Sequence, residues 1–249
     1  MAKAAEARVN FITILRYVGL ILHVPGAMAI LSLAIALIFG EYYSIIPFIT
    51  TAAISIGVGQ LLFRLCSKHK QATLWDSMSV AALSWLLCPI VSAIPFYWIC
   101  YLRVEYGFQS ESAMALIHPI NAFFEAFSGF TSSGLTLVKQ PSEFSHSIIW
   151  WRSLTQWVGG VGLIVFILSV TEAAHGRYHL YYAETRTEVL GKTLKQTTRI
   201  IWGLYAFYTL CSILLFIIAG MPMWHAINNG MTGISTGGFT VADTSFADY

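Results

Sequence analysis

Five long stretches of this sequence carry no charged residue: 17–40, 42–63, 77–102, 153–171 and 200–242. No other feature limits the fold so tightly. An α-helix rises about 1.5 Å per residue, so roughly 17–25 apolar residues cross the ~30 Å hydrocarbon layer of a bilayer. Each of the first four runs supplies one crossing, and the fifth supplies a crossing and a further segment. Charged residues make up 10% of the chain, against roughly 25% in ordinary soluble domains. The sequence therefore predicts an all-α polytopic membrane protein.

The placement of charge orients it. With the N-terminus inside, Lys3, Arg8, Arg16, Arg64, Lys68, Lys70, Arg177, Arg186, Lys192, Lys195 and Arg199 fall on the cytoplasmic face, and only Arg103, Lys139 and Arg152 on the other. Eleven against three is a positive-inside bias. The first apolar run is too long for the core of a signal peptide, and no small-residue cleavage pattern follows it. Cys66, Cys88, Cys100 and Cys211 show no CxxC pairing and sit in or beside apolar runs, so they read as buried small hydrophobes rather than a metal site.

Along the chain, spans at about 17–40 and 42–64 form a tight pair around a short outer turn near Glu41. A third span is expected near 78–102. Segment 113–127 is apolar and aromatic but too short to cross, so it reads as a re-entrant or interfacial helix. A polar outer loop and a span at 148–171 follow, with Trp150, Trp151 and Trp157 marking that span's outer end. After a mixed-charge linker the pattern restarts with a span at 200–220 and a short helix at 222–231. Pro119 and Pro222 mark the starts of the two short helices, where a missing amide donor costs nothing.

After each short helix comes nearly the same phrase, "SGFTSSGLT" at 128–136 and "TGISTGGFT" at 232–240. At an offset of 104 they share Gly129/Gly233, Gly134/Gly238 and Thr136/Thr240, with like residues at three more positions. This is an internal repeat of span, half-span helix, glycine-marked loop and span. Non-helical backbone at membrane depth is tolerated only where it lines a cavity or a water-filled path. A cation shedding water needs oxygen dipoles in replacement, and backbone carbonyls supply them without a fixed charge. Thr131, Ser132, Ser133, Gly134 and Leu135, with Ser235, Thr236, Gly237, Gly238 and Phe239, fit that task as potassium-binding filter residues. The preceding half-helices direct their negative ends toward the same path. The bland reading is that small residues in these loops only help packing.

Those loops, together with "WWRSLTQWVGGVGLIVF" at 150–166 and "LYYAETRTEV" at 180–189, make the sequence resemble the Trk/Ktr/HKT superfamily of potassium transporters. Its members are built from four linked repeats of span, pore helix and span, and the extra N-terminal pair here looks like the Trk branch. The resemblance implies three units: an N-terminal helix pair over 1–72, a first repeat over 73–175, and a linker with a second repeat over 176–249. It also implies that Gly134 and Gly238 are the filter glycines of repeats one and two. Relatives with serine at the first of these favour sodium, so Gly134 argues for potassium. The implied partners are membrane lipid, a second copy of the full-length subunit and a cytoplasmic nucleotide-binding regulatory ring; the basic linker 174–199 is either a docking surface for that ring or simply positive-inside charge. Nucleic acid is not among them. The implied setting is the cytoplasmic membrane of a prokaryote.

Four further residues support the loops. Arg152 and Gln156 lie one turn apart on one face of the fourth span. Arg152 is either an interfacial anchor bonded to pore-loop carbonyls or a participant in conduction, and near the interface its side chain can snorkel. Glu125 either attracts cations or caps backbone amides, and its repeat counterpart is Asn229. Gly159, Gly160 and Gly162 admit close approach of a helix, most simply a pore helix. His175 and His179 would stand one turn apart if helical, which suits a metal, although a polar linker explains them too. No nucleophile–base pair or paired carboxylates emerge, so neither an enzyme nor a cofactor is expected. A pore of this family needs four filter loops and the chain holds two, so the expectation is the N-terminal half of a longer subunit. The competing readings are a polytopic membrane enzyme or assembly factor, or an inert fragment.

Overall fold

The computed structural model describes residues 10–67, 72–175 and 194–247. Among these every regular element is a helix and there is no strand. Four helical stretches are long and apolar enough to cross a membrane: Phe11–Ile38, Tyr42–Leu65, Trp75–Glu105 and Thr198–Ile218.

The first is two helices in line, α1 (Phe11–Ile21) and α2 (His23–Ile38). Pro25 has no amide to donate to the Ile21 carbonyl one turn back, so regular pairing fails at Leu22. The hydroxyl of Ser55 donates to the Leu22 carbonyl at that break. Ser55 belongs to α3 (Ile45–Leu65), which packs against both α1 and α2. A short 3₁₀ turn, Tyr42–Ser44, leads from α2 into α3.

Helix α4 (Leu74–Glu105) opens with a capping box in which Thr73 and Asp76 satisfy each other's backbone amides. Asp76 also accepts from the amide of Asn10, which fastens the start of α1 to the start of α4. The segment expected as a single short helix over 113–127 is two, α5 (Glu111–Leu116) and α6 (Pro119–Phe130). A residue before proline is pushed out of the helical region, and His118 sits at φ −92°, ψ 123°. Helix α6 therefore starts afresh, with twelve residues that rise about 18 Å, half a bilayer crossing.

Helix α7 (His146–His175) is the centre of the arrangement. It packs against α6 and α4 of its own repeat, against α2, and against the second repeat's α8 (Leu194–Ile218) and α9 (Met223–Ile234). Glu41, in the turn between α2 and α3, accepts from the amides of His146 (2.7 Å) and Ser147 (2.9 Å). A carboxylate here satisfies donors that the helix start leaves free and meets the positive end of its dipole.

Trp151 does not mark an interface. It is fully buried, and its indole donates to the Ser92 carbonyl at 3.0 Å, in the turn of α4 that Pro95 interrupts. Trp157 turns the other way and donates to Thr209 of α8 at 3.0 Å, while Tyr205 of α8 donates back to the Trp157 carbonyl at 2.9 Å. The tryptophans thus couple α7 to both repeats. Cys66, Cys88 and Cys100 are buried and, like Cys211, free. His179 and residues 176–193 of the basic linker lie outside the described residues.

Candidate functional site

Helices α6 and α9 are each twelve residues long and end in the same way. Thr131 and Ser235 are the equivalent C-caps. Beyond them the amides of Ser132 and Ser133 bond back to the carbonyls of Gly129 (3.0 Å) and Ser128 (3.1 Å). In the second repeat Thr236 and Gly237 bond to Gly233 (3.0 Å) and Thr232 (2.9 Å). This double closure is the Schellman motif, which puts the residue after the cap in the left-handed region. That residue is usually glycine. Here it is Ser132 at φ +52° and Thr236 at φ +55°, a costly choice for a residue with a Cβ and most of all for the β-branched Thr236.

Two residues further on, φ is positive again: +72° at Gly134 and +84° at Gly238. Among the described residues, Ser133 and Gly237 between them are not in the positive-φ region. Both loops therefore alternate the sign of φ at repeat-equivalent positions.

The loops also meet. A Cβ added to Gly134 would lie 2.1 Å from the carbonyl oxygen of Gly237, and one added to Gly238 would lie 4.0 Å from the Cα of Gly134. Backbone faces backbone, with no room for a side chain at Gly134. Most loop hydroxyls turn back to their own segments. Thr131 donates to the Phe127 carbonyl at 2.9 Å, Ser235 to Thr232 at 2.9 Å, and Thr236 to Ser235 at 2.7 Å; Ser133 shares a hydrogen bond with Ser128 at 2.9 Å. Leu135 is 64% exposed, whereas its counterpart Phe239 is 2% exposed.

Helix α7 holds both loops. Arg152 is buried rather than snorkelling to an interface, and it bonds a loop carbonyl as the anchor reading expected. Its Nε donates to Glu125 Oε1 at 3.0 Å, Nη2 to the Thr136 hydroxyl at 3.1 Å, and Nη1 to the Thr240 carbonyl at 3.3 Å. Thr136 and Thr240 are repeat equivalents, so one guanidinium ties the same point of both loops. It also lies over the Phe239 ring, 4.3 Å from the centroid. Both carboxylate oxygens of Glu125 are engaged: it accepts in addition from the Thr136 hydroxyl (2.8 Å) and the Leu137 amide (3.2 Å). Of its two expected roles, amide capping is the one the geometry shows.

One turn on, Gln156 accepts from the Phe239 amide through Oε1 at 3.1 Å, and its main-chain carbonyl accepts from the Ser132 hydroxyl at 3.4 Å. Asn229 is buried like Glu125 but makes no equivalent bridge. Its Nδ2 donates to Met221 Sδ at 3.5 Å, and its Oδ1 has no partner among the described residues. Gly159 and Gly160 let α7 approach: a Cβ would fall 2.2 Å from the Phe130 carbonyl and 2.8 Å from Ser235. Among the described residues nothing lies within 4 Å of a Cβ placed on Gly162, so no close approach is seen there. Sequence reasoning singled out neither Thr136 nor Thr240 for a role, although their identity across the repeat was the available signal. It also missed Glu41 as a cap, which lay within a turn and carried no pattern.

No group of three or more metal-binding side chains occurs among the described residues. What the arrangement offers is main-chain oxygen in two abutting loops, each at the negative end of a short helix, with the only nearby cation, among the described residues, neutralised by Glu125.

Comparison with known proteins places the chain beside membrane cation carriers. The family profile described as "TrkH: Cation transport protein" matches residues 46–249. An uncharacterized cation transporter of Methanocaldococcus jannaschii is 32% identical over 211 residues, covering 84% of this chain and 39% of that protein. The Trk system potassium uptake protein TrkH of Escherichia coli is 28% identical over 242 residues, covering 95% of this chain and 47% of that one. The crystal structure of the potassium transporter TrkH from Vibrio parahaemolyticus superposes with a TM-score of 0.76 at 23% identity, over 96% of this chain and 46% of that one. The chain thus spans less than half the length of these relatives.

Proposed function

The chain belongs to the TrkH family of cation transport proteins, within the Trk/Ktr/HKT superfamily, and from that premise we propose that its two loops are filter segments of a potassium-uptake pore. The observation that carries this reading is the alternating sign of φ at Ser132 and Gly134 and at Thr236 and Gly238. In an extended strand successive peptide groups face opposite ways. Reversing φ at every second residue undoes that alternation and gathers carbonyls on one side, where they replace the water a potassium ion sheds. Thr131, Ser132, Ser133, Gly134 and Leu135 line the first segment, and Ser235, Thr236, Gly237, Gly238 and Phe239 the second. Glycine at 134 favours potassium over sodium, on the superfamily resemblance.

The helix ends of α6 and α9 add negative potential, and the Arg152–Glu125 pair supports the loops without presenting net charge to the ion. The work proposed is passage of an ion, with no bond made or broken and no resident cofactor. The filter is proposed to close from four such segments, two of them in this chain. Residues 73–175 are proposed as one repeat and 176–249 as part of the next, behind the helix pair of 1–72. The proposed setting is a prokaryotic cytoplasmic membrane with the N-terminus inside, supported by the eleven-to-three distribution of basic residues. Exposed Leu37, Ile46, Leu214 and Ile218 suit contact with lipid. A second copy and a cytoplasmic nucleotide-binding ring complete the proposed assembly.

The test is growth. The complete reading frame that encodes this chain, expressed in cells stripped of their own potassium uptake, restores growth at low potassium on this reading. Failure to restore it, with the protein present in the membrane, contradicts the reading.

A further inference from the structure

The two loops are alike in backbone but are held differently. In the first, Ser133 bonds to Ser128 of its own pore helix. In the second, the equivalent position is Gly237, which has no side chain with which to do this. The space is filled from the neighbouring repeat: a Cβ on Gly237 would lie 2.3 Å from both Cδ and Oε1 of Gln156 and 2.8 Å from its Nε2. Gln156 is fully buried, and its Oε1 takes the Phe239 amide at 3.1 Å. That bond fixes the orientation of the side-chain amide, because the reverse would set two donors face to face. Nε2 is left buried with no partner among the described residues, a cost that a side chain kept only for packing would not carry.

We propose that Gln156 is a positioning residue for ion discrimination: its side-chain amide sets the backbone of the second filter segment at Gly237–Gly238–Phe239, and Gly237 is glycine in order to admit it. The proposal rests on the filter reading of the loops. A rigid brace at this point matters because the carbonyl of Gly237 also abuts Gly134, so a shift of the second loop moves its contact with the first. Arg152, above the Phe239 ring at 4.3 Å, steadies the same residue from one turn away.

Uptake of rubidium and of sodium is measured in cells expressing the complete reading frame, as wild type, Gln156→Leu, Gly237→Ala and Gly237→Ala/Gln156→Ser. Leucine is one heavy atom shorter than glutamine and cannot accept from Phe239, and the rubidium-to-sodium ratio falls about tenfold. Gly237→Ala drives a methyl group into the Gln156 amide, displaces it, and lowers both uptake and the ratio. Shortening residue 156 in the double variant restores uptake while leaving discrimination low. An unchanged ratio in a transporting Gln156→Leu protein overturns the proposal, and so does wild-type uptake by Gly237→Ala. If Gln156→Leu does not reach the membrane, the Gly237 pair decides alone. Absence of uptake by the wild type itself overturns the filter reading beneath it, an outcome distinct from failure of the variants.

Discussion

Arg152 and Glu125 form an ion pair sealed from solvent, Nε to Oε1 at 3.0 Å, with side chains 2% and 0% exposed. Removing one partner strands the other's charge in the protein interior, which costs about 3–5 kcal/mol. Arg152→Met and Glu125→Gln therefore each lower the unfolding temperature of the protein in detergent sharply. The double variant loses clearly less than the two single losses summed. Strict additivity in that cycle would show that the pair is not coupled.

Gly134 and Gly238 stand at equivalent points with φ +72° and +84°, yet their surroundings differ. An alanine at 238 meets nothing closer than 4.0 Å and bears only the left-handed penalty, about 1–2 kcal/mol. An alanine at 134 bears the same penalty and also meets a carbonyl oxygen at 2.1 Å, which forces the loops apart. Gly134→Ala is expected to be the more damaging of the two in both unfolding temperature and rubidium uptake. Equal effects would contradict the contact between the loops.

The helix-packing glycines sort in the same manner. Gly159→Ala places a methyl group 2.2 Å from the Phe130 carbonyl, whereas one at Gly203 in α8 meets nothing within 4 Å among the described residues. Backbone cannot yield as a side chain can, so Gly159→Ala destabilises the α6–α7 contact. Gly203→Ala is neutral or stabilising, by at most about 1 kcal/mol. Unfolding curves of the two purified variants decide this.

The spans and the duplicated loops were legible in the sequence because both depend on local pattern: absence of charge over a bilayer's length, and recurrence of small residues at a fixed offset. The burial of Arg152 was not legible. One arginine among tryptophans at a helix start has the pattern of an interfacial anchor, and only the approach of α6 brings Glu125, 27 residues away, to its guanidinium. Trp151 misled for the same reason, since its partner is a main-chain carbonyl of α4. The break before α6, by contrast, follows from the dipeptide His118–Pro119 and needed no tertiary knowledge. Asn229 shows the limit of arguing by repeat: it occupies the place of Glu125 without its bonds.

Glu41 offers a check on how the N-terminal pair is attached. Its carboxylate accepts two amides at the start of α7, so Glu41→Ala leaves them without a partner at a cost of about 1 kcal/mol. Hydrogen exchange at His146 and Ser147 is expected to quicken, with exchange in α6 unaffected. Uniform quickening along both helices would mean that Glu41 supports the fold generally rather than this junction.

The central claim is that abutting backbone carbonyls of the two loops select potassium. Competition for rubidium uptake through the complete reading frame tests it most directly. Potassium is predicted to halve the uptake at a concentration lower than sodium by at least about tenfold, a free-energy difference of about 1.4 kcal/mol. Sodium competing as well as potassium would contradict the account.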